Sequence, residues 1–513
     1  MQTPNEKRQM NKPSGCALAL ASACFVQILF ASGNTGSALR VEAFETAKGI
    51  RPEMTRIESP VLTPITDEFR KEPRKWDVFV DADKRFQEVV GIGGAMSDAA
   101  AWTLMQMDEP VREEVLRRYF KPEGGAGYSL VRVPMNACDF ARRTYSCCDT
   151  PDDFELKTFN LDHDRECMIP MLKRALELQP GLKIYLSPWS APAWMKTNGD
   201  MCNGGKLKPE CRKVWAEFYC RFIEEYAKEG IPIWGLTIQN EMFGTAPWES
   251  MVWTAEEQRD FIRDFLGPAL VRHGLSEVKV ILWDYGRDYA YPVAKAVYDD
   301  PEAAKYVWGL GFHWYNANKY DNIRILHDVW PDKHLILTEA CNGGNNYVDP
   351  EWGDADKPHP QGLNLHEGVW EGGERYGRNM IRDFNRWTEA WTDWNMVVDQ
   401  TGGPRHLPRG CGAPFVYDTK TKELRPQIAY QYIRHFTDFV KAGARRVAVT
   451  TGLDKVEATA FANPDGSLVT VIMNAGDAPR KVLFHAAGLQ GEFELAARSI
   501  RTIVIHEQRQ IRR

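Results

Sequence analysis

The sequence predicts an α/β fold, a (β/α)8 TIM barrel with an appended antiparallel β-sandwich domain. From residue 86 to residue 440, short apolar segments alternate with amphipathic helical segments, which is typical of repeated βα units around a parallel sheet. Eight apolar segments of strand length occur in this range, the number that a barrel requires. After residue 441, short strand-like segments separated by turn residues predict the sandwich.

The chain divides into four regions. They are a signal peptide at 1–38, an N-terminal segment at 39–85 that contributes to the sandwich, the barrel at 86–440 and the C-terminal sandwich at 441–513. Basic residues at 7, 8 and 12 precede an apolar stretch from about Cys16 to Phe30 and small residues up to Ala38. This pattern is typical of a cleaved export signal, with an uncleaved anchor helix as the alternative. We expect a secreted or periplasmic protein without a transmembrane segment in the mature chain.

Each barrel strand is predicted from a short apolar segment. The eight strands are expected to end near Met96, Val133, Ser187, Glu241, Asp284, Tyr315, Glu339 and Asn395. Helical stretches lie between them, and the one from Thr254 to Leu270 begins with a capping box, Thr254 followed by Glu257. A doubly wound open sheet is the alternative, but the glycines at 91, 93 and 94 lack the spacing of a dinucleotide-binding turn.

The C-terminal strands are predicted from short β-type segments. The residues 463–466, Asn-Pro-Asp-Gly, form a strong turn signal between two such segments, 458–461 and 468–473. A turn of this kind joins neighbouring antiparallel strands, so this region is expected to form the sandwich.

Composition narrows the class of protein. The formal net charge of −6 and the lack of a basic stripe exclude an obvious nucleic-acid partner. The 17 Trp and 18 Tyr suit a carbohydrate enzyme, because sugars stack on aromatic rings, although most such residues belong to a core. Nine of the 11 cysteines follow the signal, and Cys202 and Cys211 are able to pair. No cysteine spacing resembles a zinc site, so no metal is expected.

Two carboxylates close apolar strands of the predicted barrel. Glu241 ends Leu-Thr-Ile-Gln-Asn-Glu on the fourth strand, and Glu339 ends Leu-Ile-Leu-Thr-Glu on the seventh. Catalytic groups of such barrels lie at the carboxyl ends of the strands, and a buried carboxylate there is costly without a partner. A salt bridge at the barrel rim would account for one of them, but two on facing strands predict a retaining glycosidase, which needs a carboxylate pair about 5–5.5 Å apart.

Several long stretches carry a specific resemblance. The chain resembles the family 30 glycoside hydrolases, which include acid β-glucosylceramidase and endo-β-1,6-glucanases. The similar stretches, in order through the barrel, are GIGGAMSDAAAWTL (91–104), YSLVRVPMNACDF (128–140), LSPWSAPAWMKTNGDM (186–201), WGLTIQNE (234–241), DPEAAKYVWGLGFHWY (300–315), LTEAC (337–341) and WTDWN (391–395).

The resemblance implies a role for each of these positions. Glu241 is implied as the acid/base and Glu339 as the nucleophile, with Arg132 keeping Glu339 ionised. The implied substrate-binding residues are Asp98, Trp189, Asn240, His313, Tyr315 and Trp394. Asp98 at a helix start and a lone His313 at a strand end are also compatible with purely structural roles. No metal or organic cofactor is implied, because carboxylates fill both catalytic roles.

Two departures bear on the substrate. Met242 stands where the family usually has Pro after the acid/base, and the loop from Asn342 to Gly373 is longer than usual. Its Trp352 and Trp370, flanked by Gly, Pro and acidic residues, are expected to be exposed platforms on the acceptor side. The alternative is a solvated insertion without ligand contact.

Two β-glucosides compete as the substrate, a β-1,6-glucan and glucosylceramide. The segment 248–261 resembles the glucanase branch, and its Trp248 and Trp253 suit a glycan groove, so the sequence favours the glucan. The alternative functions are a transglycosylase with the same two carboxylates and a non-catalytic carbohydrate-binding barrel. The survival of both carboxylates argues against the second of these.

Overall fold

A computed structural model describes residues 39–65, 76–315, 318–342, 369–407 and 410–507. Four strands precede the barrel: β1 (Leu39–Ala47), β2 (Arg51–Ile57), β3 (Thr63–Pro64) and β4 (Val78–Glu88). All four belong to the sheet that the C-terminal strands form. The predicted signal peptide at 1–38 lies outside the described residues.

Eight parallel strands close into a barrel in chain order, which confirms the predicted fold class. They are β5 (Gly91–Ala95), β6 (Leu130–Met135), β7 (Lys183–Pro188), β8 (Gly235–Thr237), β9 (Lys279–Gly286), β10 (Val307–His313), β11 (His334–Glu339) and β12 (Ala390–Asn395). Strand β8 ends four residues before the expected end at Glu241, so Glu241 lies in the turn that follows the strand.

Helices connect the barrel strands, and the last helix follows the final barrel strand. They are α1 (Asp98–Met105), α2 (Glu109–Phe120), α3 (Asp162–Glu166), α4 (Met168–Leu178), α5 (Arg212–Lys228), α6 (Ala255–Phe261), α7 (Gly267–Arg272), α8 (Ala290–Tyr298), α9 (Pro301–Ala304), α10 (Tyr320–Val329), α11 (Trp370–Phe384) and α12 (Ile428–Thr437). A π-helical turn, Ile262–Leu266, joins α6 to α7. The predicted capping box is present: Thr254 accepts from Glu257 N–H, and the Glu257 side chain accepts from Thr254 N–H.

The barrel interior changes from apolar to polar along the strands. Its apolar layer is formed by Leu130, Tyr185, Ile281, Ile336 and Ala390, all of them fully buried. Side chains alternate along a strand, so the residue two positions onward faces the same interior. On β6, β7 and β11 those residues are Arg132, Ser187 and Thr338, and all three are fully buried. A polar layer therefore lies directly above an apolar one, at the carboxyl end of the barrel.

Two further sheets follow the barrel. A small sheet contains β13 (Val397–Asp399), β14 (Phe415–Asp418) and β15 (Glu423–Pro426). The sandwich strands are β16 (Arg445–Thr451), β17 (Val456–Ala462), β18 (Leu468–Asn474), β19 (Arg480–Ala486), β20 (Leu489–Leu495) and β21 (Ser499–Glu507). The sheet order is β2-β1-β21-β18-β17-β16-β4-β19-β20-β3. Strands β17 and β18 pair antiparallel across the predicted turn, where Gly466 adopts a positive φ of 88°.

The described part of the chain contains no helix long and apolar enough to cross a membrane. Its nine cysteines are all unbridged, and eight of them are buried. Cys202 is the partly exposed one, and it does not pair with Cys211.

Candidate active site

The centre of the polar layer is Arg132, a fully buried guanidinium on β6. It donates to a carboxylate oxygen of Glu339 and to Asp284 Oδ2 at 2.8 Å. It also donates to Asn240 Oδ1 at 2.9 Å and to Ser187 Oγ at 3.0 Å. Burial by itself would lower the pKa of Arg132, but the charges of Asp284 and Glu339 raise it above its ordinary value. Arg132 is therefore a permanent cation in direct contact with Glu339.

The two predicted catalytic carboxylates lie close together. One oxygen of Glu241, one oxygen of Glu339 and a ring nitrogen of His313 all lie within 4.8 Å of one another. The Glu339 side chain is 10% exposed, whereas that of Glu241 is 25% exposed. The barrel has thus brought together two groups that are 98 residues apart in sequence (339 − 241).

Glu241 lies in an uncommon backbone conformation. Its φ is 49°, in the left-handed region that non-glycine residues seldom adopt. Glu241 N–H donates to Asp284 O at 2.9 Å, and Glu241 O accepts from Gly244 N–H at 2.7 Å. Met242, which replaces the family's usual Pro, is fully buried, and its carbonyl accepts from Trp253 N–H. These contacts hold the turn in place without Pro.

His313 connects Glu241 to a buried aspartate. Its Nδ1 lies 3.3 Å from Glu241 Oε1, and its Nε2 lies 2.9 Å from Asp284 Oδ1. Burial would lower the pKa of His313, but the carboxylates of Glu339, Asp284 and Glu241 raise it to about 9. His313 is therefore an imidazolium at neutral pH. Both ring nitrogens then donate hydrogen bonds.

Asp284 is a site residue that the sequence analysis counted only as a strand end. It accepts from Arg132, His313 and Thr237, the last at 2.7 Å. Burial would raise its pKa, but Arg132 and His313 lower it well below the usual range. Its position at the end of β9, beside two other strand-end carboxylates, was the signal that could have identified it.

Trp189 and Trp394 form the aromatic part of the site. Their ring centroids are 5.1 Å apart with an interplanar angle of 30°, and both residues are only 2% exposed. The Arg132 guanidinium carbon lies 4.7 Å from the Trp189 ring centroid and 5.3 Å from that of Trp394. Cation–π attraction at these distances adds to the rigidity of the centre.

Asn240 and Tyr315 complete the group of predicted residues around the carboxylates. Asn240 is held by Arg132 at its side-chain oxygen and by Pro188 O at its backbone N–H. The Tyr315 ring meets His313 edge-on at 5.8 Å, and its hydroxyl lies 3.2 Å from Cys341 Sγ. Both residues therefore border the catalytic pair.

Asp98 has different neighbours from the other predicted residues. Its carboxylate accepts hydrogen bonds from the backbone N–H, the Nε and the Nη2 of Arg142, and lies 3.0 Å from His163 Nε2. Burial would raise its pKa, but His163 and Arg142 lower it well below the usual range. Both oxygens already have protein partners. Its assignment to sugar binding stays a prediction.

Asp139 is a second acidic residue that the sequence analysis missed. It lies in the loop after β6, within the stretch 128–140, and is partly exposed. Burial and then the negative charges of Glu339, Glu241 and Glu249 raise its pKa well above the ordinary value. Asp139 follows the carboxyl end of β6, and the strand-end loops of a barrel gather at this face.

Two of the aromatic platforms expected near the cleft are packed instead. Trp253 is 3% exposed and lies against Phe261, with ring centroids 5.2 Å apart. Trp370 begins helix α11, is partly buried, meets Tyr432 edge-on at 5.9 Å and donates to Glu374. The expectation was wrong for both, because flanking polar residues do not reveal which helix face packs. Trp352 lies outside the described residues.

Models of known protein domains match most of the chain. The model of the glycosyl hydrolase family 30 TIM-barrel domain matches residues 89–440, and that of the family's β-sandwich domain matches residues 443–503. The chain is 34% identical to the lysosomal acid glucosylceramidase of Mus musculus over 406 residues, 76% of each chain. It is 25% identical to the endo-1,6-β-D-glucanase BGN16.3 of Trichoderma harzianum over 443 residues, 81% of this chain and 83% of the other.

Among solved structures, the fold is similar to SrfJ from Salmonella typhimurium. The TM-score is 0.83 at 27% identity, and the match covers 91% of this chain and all of the other. The similarity therefore spans both the barrel and the sandwich.

Proposed function

Because the chain belongs to glycosyl hydrolase family 30 and is a glycoside hydrolase, we propose that it cleaves β-D-glucosides with retention of configuration. The distance between the two carboxylates carries this proposal: an oxygen of Glu241 and an oxygen of Glu339 lie within 4.8 Å. Retaining glycosidases hold their carboxyl groups about 5–5.5 Å apart, whereas inverting ones need about 6.5–9.5 Å to admit a water.

The surroundings of the two carboxylates suit different roles. Glu339 is held by the Arg132 guanidinium and is almost buried, which suits a nucleophile with a fixed position. Glu241 is more exposed, which suits a group that must reach a leaving oxygen and then a water. The Glu339 carboxylate attacks the anomeric carbon while Glu241 gives its proton to the leaving oxygen. Glu241 then takes a proton from water, whose oxygen attacks the anomeric carbon and releases Glu339.

The anomer that forms first tests the mechanism. With an aryl β-glucoside as substrate, proton NMR during early turnover should show β-glucose, which mutarotates later to the equilibrium mixture. Initial release of α-glucose would mean single displacement and would overturn the retaining assignment.

The glucose ring has a set of candidate contacts around this pair. We propose that Trp189 and Trp394 contact the glucose ring through their faces and edges. We propose that the Asn240 amide nitrogen donates to the 2-hydroxyl, since the amide oxygen is held by Arg132. Asp139, which is partly exposed in the loop after β6, is a better candidate for contact with sugar hydroxyls than Asp98, whose oxygens accept from Arg142 and face His163. Asp139→Ala should then raise KM for an aryl glucoside more than Asp98→Ala does.

For the leaving group, we propose an apolar aglycone of the glucosylceramide kind. The identity to the mouse glucosylceramidase exceeds that to the fungal glucanase, 34% against 25%. Phe243, two residues after the acid/base, is 42% exposed and meets Trp283 edge-on at 5.3 Å. An exposed phenyl ring beside the group that protonates the leaving oxygen offers an apolar contact to a lipid. The burial of Trp253 removes part of the argument for a glycan groove.

Phe243 gives a direct test of this substrate. Phe243→Ala should raise KM for micellar glucosylceramide several-fold and leave hydrolysis of a small aryl glucoside nearly unchanged. Val271→Ala, at an exposed apolar residue on α7, is the matched control and should change neither. Equal kinetics of Phe243→Ala and wild type on glucosylceramide would exclude Phe243 as a contact of the aglycone.

A β-1,6-glucan is the second candidate substrate. Trp248 supports it, because this partly buried ring packs against the cluster that contains Trp189 and Trp394. If the glucan is the substrate, the enzyme should release oligosaccharides or glucose from it faster than it cleaves glucosylceramide. A side-by-side assay of the two substrates at equal enzyme concentration decides between them.

We also propose export through the N-terminal segment 1–38. The support is its sequence pattern of basic, apolar and small residues. Fusion of this segment to a reporter should place the reporter outside the cytoplasm, and N-terminal sequencing should locate cleavage near residue 38. Retention of the reporter inside the cell would contradict export.

A further inference from the structure

A second cluster of candidate ligands lies outside the catalytic machinery. It consists of Cys202, Glu249 and His406, whose Sγ, carboxylate oxygen and ring nitrogen all lie within 4.8 Å of one another. Cys202 follows β7, Glu249 follows β8 and His406 follows β13. Three separate loops thus converge on one point.

Glu249 is the unusual member of this cluster. Its side chain is completely buried, yet neither carboxylate oxygen accepts a hydrogen bond from any described group. His406 Nε2 likewise has no hydrogen-bond partner there, although it lies 3.4 Å from Glu249 Oε2. A charge-assisted N–H···O bond is normally about 2.7–2.9 Å long. A buried carboxylate without hydrogen bonds is costly unless a cation compensates it.

The distance between two of the candidate ligands matches that expected around a tetrahedral zinc ion. Two ligands that are each about 2.1 Å from zinc are about 3.4 Å apart at the tetrahedral angle. The separation of His406 Nε2 and Glu249 Oε2 has this value, 3.4 Å. Sulfur, nitrogen and oxygen donors of Cys, His and Glu are all common zinc ligands.

His406 is oriented as zinc-binding histidines usually are. Its Nδ1 lies 3.0 Å from Ala141 O, so Nδ1 must carry the proton that this carbonyl accepts. The backbone N–H of His406 also donates to Ala141 O at 3.0 Å, which fixes the residue. In the neutral ring, Nε2 then presents its lone pair to the cluster. A carbonyl on the other ring nitrogen is the typical support of a histidine ligand.

The backbone under the other two ligands is held in place. Cys202 and Glu249 form an isolated antiparallel bridge, which sets their backbones side by side. The buried Lys196 ammonium donates to Met201 O at 2.9 Å and to Ser250 O at 2.6 Å, one neighbour of each ligand. Hydrogen bonds therefore hold the two bridged segments together without an ion.

We propose that Cys202, Glu249 and His406 form a zinc site with three protein ligands and a fourth position for water. A thiolate and a carboxylate balance the two positive charges of the ion, and binding releases the thiol proton. The ion joins three loops at the catalytic end of the barrel, one of which carries Trp248 beside Glu249. Its role is to fix these loops, since the nucleophile and the acid/base are already supplied by Glu339 and Glu241.

This proposal reverses the expectation from sequence that no metal is bound. The ligands are 47 and 157 residues apart (249 − 202 and 406 − 249), far from the short spacings that identify zinc sites in a sequence. Only the fold brings them together.

Zinc and cobalt(II) binding to the full-length protein test the site. After removal of metals with a chelator, addition of Zn²⁺ and desalting should leave one zinc per chain by elemental analysis. Cobalt(II) should give a thiolate-to-metal charge-transfer band. Cys202→Ser should abolish this band, and Cys202→Ser and His406→Gln should weaken Zn²⁺ binding about 100-fold or more. Cys220→Ser, at a buried thiol on α5, should retain both the zinc and the band.

Two further variants distinguish this zinc site from metal binding at the catalytic carboxylates and from a simple ion pair. Glu339→Gln should keep its zinc, which would exclude binding by the catalytic carboxylates. Glu249→Gln should lower Tm much more in zinc-loaded protein than in metal-free protein, because only the loaded protein loses a ligand. A chain that retains no zinc, a cobalt band that persists in Cys202→Ser, or an equal loss of Tm in Glu249→Gln with and without zinc would each overturn the proposal. The last result would identify a Glu249–His406 ion pair alone.

Discussion

Two clusters at the carboxyl end of the barrel each contain a histidine beside a buried acidic side chain, and they differ in how charge is compensated. In the catalytic centre, Arg132 binds Glu339 and Asp284, and His313 lies within hydrogen-bonding distance of Asp284 and Glu241. At the second cluster, Glu249 is buried without a hydrogen bond from the described residues. The chain itself supplies well-placed cations in the first case, whereas the second calls for an external one. The charges of the catalytic centre are therefore balanced within the chain and are available for catalysis.

The largest effect is expected from the nucleophile. Glu339→Gln keeps the shape of the side chain but closes the covalent route, so kcat on an aryl β-glucoside should fall about 10⁴-fold or more. Steady-state kinetics with a melting curve of the variant measures this. A folded variant whose kcat stays within tenfold of wild type would exclude Glu339 from the mechanism.

The acid/base should show a loss that depends on the leaving group. Glu241→Ala should reduce turnover of an alkyl β-glucoside by roughly 10²–10⁴-fold, the usual range for general acid catalysis. A dinitrophenyl β-glucoside, which leaves without protonation, should form the glycosyl-enzyme at a nearly normal rate in burst kinetics. The same loss on both substrates would argue that Glu241 is not the acid.

Removing charge from the catalytic network should destabilise it, which sharpens the contrast with Glu249. Asp284→Asn leaves Arg132 with one carboxylate fewer in a fully buried site, so the free energy of unfolding should fall by about 3–5 kcal/mol. Asp321→Asn, at a carboxylate that is 68% exposed, is the control and should change it by less than about 1 kcal/mol. Urea unfolding of both variants at neutral pH makes the comparison. A loss at Asp284 no greater than at Asp321 would mean that the network does not stabilise the fold.

The charge of His313 should produce a pH dependence of stability. Its pKa is raised from 6.5 to about 9, so its contribution is fully present below about pH 6.5 and is lost as pH rises through 9. The loss should be about 3 kcal/mol at most. Wild-type Tm should fall between pH 7 and pH 10, whereas His313→Gln should show a flatter profile over the same interval. Parallel profiles would indicate that His313 is neutral in the folded protein.

Sequence reasoning located the parts of the site that lie on regular elements. A carboxylate at the end of an apolar strand, such as Glu339, can be recognised in the sequence. In a barrel, the carboxyl end of each strand lies at the face where catalytic groups gather. It also located Glu241, although β8 ends at Thr237 and the intervening residues form a turn. Arg132, Asn240 and His313 were also named as site residues, and the structure shows that Arg132 donates to Asn240 and that Arg132 and His313 share Asp284.

Contacts that depend on loop positions were not predictable in this way. Asp139 lies in a loop whose path the sequence does not specify, and Trp370 was assigned to a loop because the start of helix α11 was not recognised. The cluster of Cys202, Glu249 and His406 depends on three loops at once. Its clearest signal, a buried carboxylate without a hydrogen bond, exists only in three dimensions.

The central claim is that Glu339 and Glu241 act on opposite faces of the sugar, and azide tests it most directly. In Glu339→Gly, azide should occupy the space of the missing nucleophile and attack an aryl β-glucoside from the opposite face to give α-glucosyl azide. In Glu241→Ala, azide should attack the glycosyl-enzyme in place of water and give β-glucosyl azide. NMR of the two products should therefore show opposite anomers. The same anomer from both variants, or no rescue of either by azide, would contradict the assignment of the two roles.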